Sequence, residues 1–272
     1  MPADRAALRE LLTTKTIIAP GVYDGLSARI ADAAGFDALY LSGYGVSASR
    51  LAKPDNGFLT RADMQARIAS ICEAVTTPLI ADADTGFDDI AATVTAYEAA
   101  GACGIQIEDQ QVPKRCGHIP GREVVSRDEA VARIASAVAA RRDNDFLIVA
   151  RSDAREQNGI DEAIERGRLF AEAGADILFI ESPESEDEFK QVGAALSDMP
   201  LLANMVAGGR SPLIAREKLI EMGFNFIIYP VAAMASVAAI LQTAYQGLRD
   251  DTPSPDSVDF NELSRIVGFP EK

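Results

Sequence analysis

Two aspartates, Asp82 and Asp84, stand two positions apart at the end of the apolar run in IADADTGF. Alternate residues of a strand point to the same side of it, and two carboxylates held close together repel each other unless a cation lies between them. Carboxylate oxygens are hard ligands that suit Mg²⁺ or Mn²⁺. Taken alone, the pair could equally be a helix cap and a surface ion pair. Glu108 ends the next apolar run, and with it we predict a metal site of Asp82, Asp84 and Glu108.

A second reactive group lies in a long polar connection, residues 110–126 (QQVPKRCGHIPGREVVS). It holds Lys114, Arg115, Cys116 and His118, the last being the only histidine of the chain. Long loops without secondary structure are often lids over a site. A thiol flanked by two cations should have a pKa below its ordinary value of about 8.5 and should exchange protons near neutrality. We therefore predict that Cys116 takes part in chemistry, the alternative being an ordinary basic surface loop.

Other uses of Cys116 fit the sequence less well. A zinc site would need two further soft ligands, and Cys72 and Cys103 fall on unrelated elements, where we expect small core residues. A cysteine hydrolase would need His118 to orient on a thiol only two residues away, which is an uncommon geometry. Proton transfer by Cys116 is the preferred interpretation.

Eight short apolar or β-branched runs alternate along the chain with segments of helical periodicity. Four of the helical segments end where a helix C-terminus favours a left-handed residue, at Gly35, Gly101, Gly174 and Gly223. An open doubly wound sheet would share the alternation, but no G-x-G-x-x-G follows the first run. We therefore predict an α/β fold, a (β/α)₈ TIM barrel. Its strands are expected at residues 17–21, 38–43, 78–84, 104–109, 146–153, 177–182, 201–206 and 225–230.

One barrel of about 250 residues accounts for the 272-residue chain without a second domain. We predict a single domain over residues 1–272, in which residues 248–272 form a C-terminal helical extension. Active sites of such barrels lie at the carboxyl ends of the strands. The polar residues expected at these ends are Ser42, Asp82, Asp84, Glu108, Asp109, Arg151, Asp153, Glu181 and Asn204.

The composition limits the classes of partner. A formal charge of −15, from 41 acidic and 26 basic residues, repels nucleic acid and anionic membranes, so neither is expected as a partner. No apolar run approaches the roughly 20 residues of a transmembrane helix, and the N-terminal segment lacks the features of a secretory signal. With three unevenly spaced cysteines, this favours a soluble protein of the reducing cytoplasm. A small carboxylate substrate stays compatible with the charge, because a metal ion reverses the potential locally.

Seven motifs occur in order at the ends of the predicted strands: YLSGYGVSAS, IADADTGF, IQIEDQ, PKRCGH, ARSDA, FIESP and LANMV. Together they resemble the isocitrate lyase and phosphoenolpyruvate mutase superfamily, and the resemblance runs from about residue 16 to residue 269. It implies a Mg²⁺-dependent barrel that acts on α-oxy or α-keto acids. It also implies a homotetramer, a dimer of dimers in which the eighth helix is exchanged between subunits.

Within the superfamily, the details favour a carbon–carbon lyase. PKRCGH resembles the lyase loop, in which the cysteine protonates a carboxylate-stabilised carbanion, and Tyr40 and the pair Tyr229-Pro230 also resemble lyases. The segments after His118 and at the seventh strand resemble the group of 2,3-dimethylmalate lyase and oxaloacetate acetylhydrolase more than methylisocitrate lyase. Ala207 departs from that group, which commonly carries an acid there.

The reaction that the resemblance implies is cleavage of a 2-hydroxy di- or tricarboxylate into an α-keto acid and a carboxylic acid. The substrate would be of the 2-alkylmalate, dimethylmalate or methylisocitrate type. An oxaloacetate hydrolase or decarboxylase and a phosphonomutase are alternatives on the same barrel. A non-catalytic interaction protein is the remote alternative.

The resemblance also assigns roles to individual residues. Mg²⁺ would be held through Asp82 and Asp84, and by water on Glu108. The catalytic group would be Cys116 as the acid and Tyr40 as the base, with Arg151, Lys114 and His118. The substrate would be bound by Ser42, Gly43, Tyr44, Asp55, Arg115, Gly117, Arg151, Glu181 and Asn204.

Overall fold

The computed structural model of the protein describes residues 3–252 and 257–269. In this part of the chain, eight parallel strands close into a barrel in sequence order, with the last strand pairing back onto the first. The predicted (β/α)₈ barrel is confirmed. Its strands are β1 (Ile17–Val22), β2 (Leu39–Leu41), β3 (Leu79–Asp82), β4 (Gly104–Glu108), β5 (Leu147–Ser152), β6 (Ile177–Ile180), β7 (Leu201–Asn204) and β8 (Phe224–Tyr229).

Helices cover the outside of the barrel, and several begin at a side chain that accepts a backbone N–H, such as Asp24 and Thr60. The four glycines predicted to end helices all have positive φ angles, between 78° and 101°. The helices are α1 (Arg5–Thr14), α2 (Gly25–Ala33), α3 (Gly43–Val46), α4 (Arg61–Ala74), α5 (Ile90–Ala99), α6 (Arg127–Ala140), α7 (Arg155–Asn158), α8 (Ile160–Glu172), α9 (Glu186–Ala195), α10 (Arg216–Glu221), α11 (Ala232–Arg249) and α12 (Phe260–Ile266), with a π-helical turn at Ser47–Leu51 after α3.

Helix α1 closes the amino-terminal end of the barrel. Its Leu8 and Leu12 belong to the same buried cluster as Ile17 and Leu147, which open β1 and β5. Arg5 fixes the helix by donating to the carbonyls of Glu98 and Ala102, at 2.7 and 3.0 Å. This end of the barrel is therefore an apolar plug, and the polar strand ends lie at the opposite side.

The chain leaves the sheet earlier than predicted at β3, and this corrects the reasoning about Asp84. The strand ends at Asp82, and Asp84 has a left-handed backbone with φ 51°. The two aspartates therefore do not alternate along one strand. A turn brings Asp84 back instead, and its backbone N–H donates to Asp82 Oδ1 at 3.1 Å. The proximity predicted for the two residues is correct, but its cause is a turn.

The last helices carry an apolar surface. On α11, Val237, Ile240, Leu241, Tyr245 and Leu248 are exposed. Helix α12 packs against α2 and lies within the predicted extension, of which residues 253–256 and 270–272 fall outside the described part. The single domain over residues 1–272 stays a prediction. None of the helices in residues 3–252 and 257–269 combines the length and the apolar character of a membrane span.

Candidate active site

A cavity of about 510 Å³ opens at the carboxyl ends of the strands. Most residues predicted from the sequence to form the site line it, although they come from the ends of five strands and from the loop 110–126. These residues are Tyr40, Ser42, Tyr44, Asp55, Asp82, Cys116, Gly117, His118, Arg151, Glu181 and Asn204.

Four further predicted residues lie directly behind this lining, and one lies elsewhere. Gly43 backs onto Asp82, because a Cβ at this position would come within 2.7 Å of Asp82 Oδ2. Asp84, Glu108 and Lys114 are buried. Arg115 is exposed, and its guanidinium donates to the carbonyl of Pro120 at 3.3 Å. The structure therefore does not bring the predicted substrate-binding residue Arg115 to the cavity.

One side of the site, which we call the carboxylate cluster, consists of Asp55, Asp82, Asp84, Glu108 and Lys114. The Lys114 ammonium lies 2.6 Å from both Asp55 Oδ1 and Asp84 Oδ1. Burial disfavours the ammonium, but Asp84 and then Asp55 outweigh it and raise the pKa of Lys114 well above its ordinary value. Lys114, which comes from the loop 110–126, is thus the cation closest to these four carboxylates, and Arg151 approaches one of them, Glu108, at 3.5 Å.

Three acids of the carboxylate cluster, Asp82, Asp84 and Glu108, resist ionisation. Burial, followed by the neighbouring Asp82 and Asp55 carboxylates, raises the pKa of Asp84 to about 7 although Lys114 opposes the shift. Burial also raises the pKa values of Asp82 and Glu108. Buried carboxylates favour the charged form only when cations or hydrogen-bond donors compensate for lost water. Positive charge is therefore in short supply here.

The adjoining side of the site, which we call the arginine cluster, consists of Arg122, Arg151, Asp153 and Glu181. Arg151 donates from Nε and Nη2 to the two oxygens of Asp153, at 3.0 and 2.8 Å. Arg122 Nη1 donates to Asp153 Oδ1 at 2.6 Å. Burial disfavours the Asp153 and Glu181 carboxylates, but Arg151 and the other neighbouring cations together outweigh it and lower the pKa of each. Two guanidinium groups here balance two carboxylates.

Sequence reasoning missed Arg122, and it listed Asp153 among the strand ends without a role. Both side chains are fully buried, and Arg122 Nε also donates to Glu156 Oε2 at 2.8 Å. The sequence signal was an arginine directly after Pro120 and Gly121 in the loop 110–126. Its partners could not be read from spacing, because they lie more than 30 residues away in the chain.

Cys116 borders the cavity from the loop, and its surroundings correct the prediction of a lowered pKa. Burial raises the pKa of the thiol, and Asp55 and Glu181 add to the shift, although the backbone N–H of His118 and the Arg151 charge oppose it. The two flanking cations do not act on the thiol, because Lys114 is paired with two aspartates and Arg115 faces outward. The predicted bias toward the thiolate is wrong, and Cys116 is a protonated thiol near neutrality.

Tyr40 lies at the base of the cavity within a hydrogen-bonded chain that the sequence did not reveal. Its hydroxyl donates to Gln106 Oε1 at 2.8 Å, and Gln106 Nε2 donates to Asp82 Oδ1 at 3.3 Å. Burial and then Asp82 raise the pKa of Tyr40 well above its ordinary value. The phenol is therefore protonated, and acting as the predicted base would require added positive charge nearby.

The carboxylate cluster matches the chemistry of a hard divalent cation. Glu108 Oε1 is buried without a hydrogen-bond partner, and burial raises the pKa values of three acids, which an added cation would lower. Among the described residues, no three His, Cys, Asp or Glu side chains converge closely enough to hold an ion directly. A set of Asp82 and Asp84 with a water-mediated contribution from Glu108 agrees with both observations. The donor atoms therefore fit Mg²⁺ or Mn²⁺.

The wall of the cavity beyond Arg151 is largely apolar. It is formed by residues after β7 and at the start of α11, among them Val206, Ala207, Val231, Met234 and Ala238. The departure noted at Ala207 thus lies on this wall. Such a surface accommodates an uncharged alkyl group, since an ionised group would lose water there without compensation.

Comparison with known proteins agrees with this site. Residues 8–249 match the family model described as phosphoenolpyruvate phosphomutase. The chain is 46% identical to 2,3-dimethylmalate lyase of Eubacterium barkeri over 272 residues, 97% of this chain and 94% of that protein. The protein belongs to the phosphoenolpyruvate phosphomutase family, and the resemblance to the isocitrate lyase and phosphoenolpyruvate mutase superfamily is confirmed.

Solved structures give the same assignment. An oxaloacetate acetylhydrolase in complex with the inhibitor 3,3-difluorooxalacetate superposes with a TM-score of 0.94 at 40% identity, covering 98% of this chain and 94% of that one. A phosphonopyruvate hydrolase in complex with oxalate and Mg²⁺ superposes with a TM-score of 0.86 at 30% identity, covering 98% of this chain and 95% of that one. A member of this superfamily therefore binds Mg²⁺ together with a small dicarboxylate.

Proposed function

We propose that the protein is a Mg²⁺-dependent carbon–carbon lyase that cleaves a 2-hydroxy di- or tricarboxylate into an α-keto acid and a carboxylic acid. The prediction of a lyase of this superfamily is confirmed by relatives that carry this activity in their names. One observation carries the proposal. A protonated thiol, a buried guanidinium and a cation-deficient carboxylate cluster face one cavity.

Cys116 is proposed as the acid of the reaction. Cleavage leaves a carbanion beside a carboxylate, and a general acid must deliver a proton to this carbon. The raised pKa of the thiol keeps the proton on sulfur at neutral pH. The prediction that Cys116 is the acid therefore gains a different physical basis, since a neutral thiol is the form that can donate.

Arg151 is proposed to hold a substrate carboxylate. A guanidinium can donate two parallel hydrogen bonds to a carboxylate, and Arg151 reaches the cavity from β5 with its charge held by Asp153. On the opposite side, Ser42 accepts from the N–H of Gly45 and caps α3. The first N–H groups of that helix, at Gly43 and Tyr44, are free of helical acceptors and are proposed as further donors to the substrate.

The proposed ion site consists of Asp82 and Asp84, with Glu108 contributing through water. When bound there, Mg²⁺ would neutralise the carboxylate cluster, polarise the α-oxygen and a carboxylate of the substrate, and lower the pKa of nearby acids, the Tyr40 phenol included. Removal of the 2-hydroxyl proton by Tyr40 stays a prediction. His118, Asp55, Glu181 and Asn204 are proposed to position the loop and the substrate around these groups.

An oxaloacetate hydrolase is the second candidate, and similarity to the oxaloacetate acetylhydrolase structure favours it. Both reactions break a carbon–carbon bond and leave a carbanion beside a carboxylate, so the same acid and the same arginine serve either one. They differ in the substituents of the substrate. The apolar wall around Ala207 and Met234 supports a substrate with an alkyl group over unsubstituted oxaloacetate.

A substrate panel tests the proposal. Purified protein with Mg²⁺ is offered 2-alkylmalates, 2,3-dimethylmalate, methylisocitrate, oxaloacetate and phosphonopyruvate, and release of α-keto acid, acetate and oxalate is followed. We expect turnover of at least one alkyl-substituted hydroxy acid with kcat/KM well above that for oxaloacetate. Efficient conversion of phosphonopyruvate, with every hydroxy acid left intact, would instead identify a phosphonomutase or a phosphonopyruvate hydrolase.

We also propose that the protein acts in the cytoplasm as a homotetramer, a dimer of dimers that exchange the helix α11. The exposed apolar residues of α11 support an interface between subunits. Light scattering coupled to gel filtration should give four times the chain mass of 28.9 kDa. A monomer at micromolar concentration would contradict this proposal.

A further inference from the structure

Residues 116–118 touch the barrel through few polar contacts, whereas Lys114 and Arg122 on either side of them form buried ion pairs. In the part of the chain that the structure describes, Gly117 is held by its carbonyl, which accepts a hydrogen bond from Ser182 Oγ at 3.0 Å. His118 adds longer contacts, at 3.2 Å to Asn204 and 3.3 Å to the N–H of Arg210. The hydrogen bond from Ser182 is therefore the shortest polar anchor between residues 116–118 and the strand ends.

Gly117 lies so close to the barrel that no side chain fits there. A Cβ on Gly117 would come within 2.4 Å of Arg151 Nη2 and within 2.9 Å of Glu181. The peptide that follows Cys116 is thus seated directly on two side chains of the arginine cluster. Any outward movement of Gly117 carries the thiol away from Arg151 and from the substrate that we propose it binds.

The backbone of Ser182 is strained. Its φ angle is 59°, in a backbone region that residues other than glycine rarely adopt. Strained residues persist where the surrounding structure needs them, and they concentrate at functional sites. Glycine would relieve the strain at this position but would remove the hydroxyl. The presence of serine therefore indicates that the hydroxyl itself is used.

The hydroxyl of Ser182 has two acceptors and one proton. It lies 3.0 Å from the carbonyl of Gly117 and 2.8 Å from Glu181 Oε1, and a serine can donate to only one of them at a time. When the loop is seated, donation to Gly117 holds it. When the loop leaves, Glu181 accepts the same proton, so the buried hydroxyl is never left unsatisfied. Such a contact holds the loop without locking it.

We propose that Ser182 is a positioning residue that keeps the Cys116 loop seated over the site by donating to Gly117, and that it exchanges this bond for one to Glu181 when the loop opens. The residue does not touch the reacting atoms in this account. It acts through the position of Cys116. Its effect should therefore be visible in the exposure of the thiol, even before a substrate is identified.

Two variants test this proposal, with a matched control. Ser182→Ala and Ser182→Gly both remove the hydroxyl, but only the glycine variant also relieves the backbone strain. Ser185→Ala makes the same truncation three residues later, at an exposed serine that caps α9. The rate of iodoacetamide labelling is measured by mass spectrometry at Cys116 and, as an internal reference, at the half-buried Cys72. No substrate is needed.

Both Ser182 variants should label Cys116 roughly three to ten times faster than wild type, the range expected for one lost hydrogen bond. Labelling of Cys72 and the Ser185→Ala protein should be unchanged. With a turned-over substrate, kcat should fall by a similar factor while KM stays within about twofold of wild type. Unchanged Cys116 labelling in both variants overturns the proposal. Faster Cys116 labelling in the alanine variant alone also overturns it, because the cause would then be backbone strain. An equal rise in the labelling rate of Cys72 overturns it too, because the whole protein would then be loosened.

Discussion

The two sides of the site are built from the same acidic residue types but have opposite electrostatics. In the carboxylate cluster the nearest cation is Lys114, and Arg151 approaches only Glu108, at 3.5 Å. Burial raises the pKa values of Asp82, Asp84 and Glu108. In the arginine cluster the guanidinium groups lower the pKa values of Asp153 and Glu181 despite burial. Burial is common to both sides, so the supply of cations decides the difference.

This difference separates the side that is complete by itself from the side that needs a ligand. In the arginine cluster each carboxylate is paired with a guanidinium group, so the cluster can serve as a rigid support for Arg151 and for the loop that carries Cys116. Charging the buried carboxylates of the carboxylate cluster costs free energy, and a bound divalent cation would offset this cost. Changes to the two clusters should therefore have different signatures, one dependent on metal and the other independent of it.

The largest effect is expected in the carboxylate cluster. Asp84→Asn should reduce turnover by about a hundredfold or more, because a proposed ligand of the ion and its charge stabilisation are lost. EDTA should abolish the activity of the wild type, and Mg²⁺ or Mn²⁺ should restore it. Mg²⁺ should also raise the melting temperature of the wild type, since a ligand that binds only the folded state stabilises it. Asp84→Asn should lose most of this rise.

The control for this variant is Asp88→Asn, which changes an exposed aspartate four residues further along the chain. It should retain both activity and the response to Mg²⁺. Full turnover of Asp84→Asn in the presence of EDTA would contradict the assignment of the carboxylate cluster as the ion site.

Cys116→Ser should show the second largest effect. A serine hydroxyl is a far weaker acid than a thiol, so turnover should fall by about a hundredfold or more while substrate binding is kept. Binding is measured by calorimetry with Mg²⁺ and the substrate found in the panel, and turnover by product release. Near-normal turnover of the serine variant would remove the thiol from the mechanism.

A change in the arginine cluster should act mainly on stability and without metal dependence. Asp153→Asn leaves Arg122 and Arg151 without their shared carboxylate, and breaking a buried ion pair from one side lowers the free energy of unfolding by about 3–5 kcal/mol. Chemical denaturation should show this loss equally with EDTA and with Mg²⁺. Asp187→Asn, at a side chain that is 92% exposed, is the control and should be neutral. Rescue of Asp153→Asn by Mg²⁺ would erase the contrast between the clusters.

The smallest effect concerns pH. The proposed acid works only as a protonated thiol, and burial together with Asp55 and Glu181 raises its pKa. The active form therefore persists to higher pH than for an ordinary cysteine, and the alkaline fall of kcat should lie above about pH 8.5. A profile of kcat between pH 6 and pH 10 measures this. A fall centred near pH 7 would indicate a thiolate-prone cysteine, as the sequence suggested.

The sequence predicted the parts of the molecule that depend on local pattern. The alternation of runs gave the barrel, and glycines such as Gly35 and Gly101 ended their helices as expected. Because the strand ends of a barrel meet at one side, motifs far apart in the chain could be placed around one cavity. This is why Asp82, Arg151, Glu181 and Asn204 were found without a structure.

The prediction failed where a side chain reaches away from its neighbours in sequence. Lys114 and Arg115 flank Cys116, yet one turns to Asp84 and the other to the outside, so adjacency gave the wrong sign for the pKa of the thiol. Arg122 was missed for the same reason. Its partners follow β5 or lie on α7, and only folding brings them near the loop. No sequence pattern predicts the strained backbone of Ser182.

The central claim is that the carboxylate cluster alone requires an added cation. The most direct test is a crystal grown with Mn²⁺ and an α-keto acid, with anomalous diffraction used to locate the ion. We predict one strong peak beside Asp82 and Asp84, with Lys114 turned away from Asp84 and no peak in the arginine cluster. A peak beside Asp153 and Glu181, or no ordered Mn²⁺ in an enzyme that Mn²⁺ activates, would contradict this account.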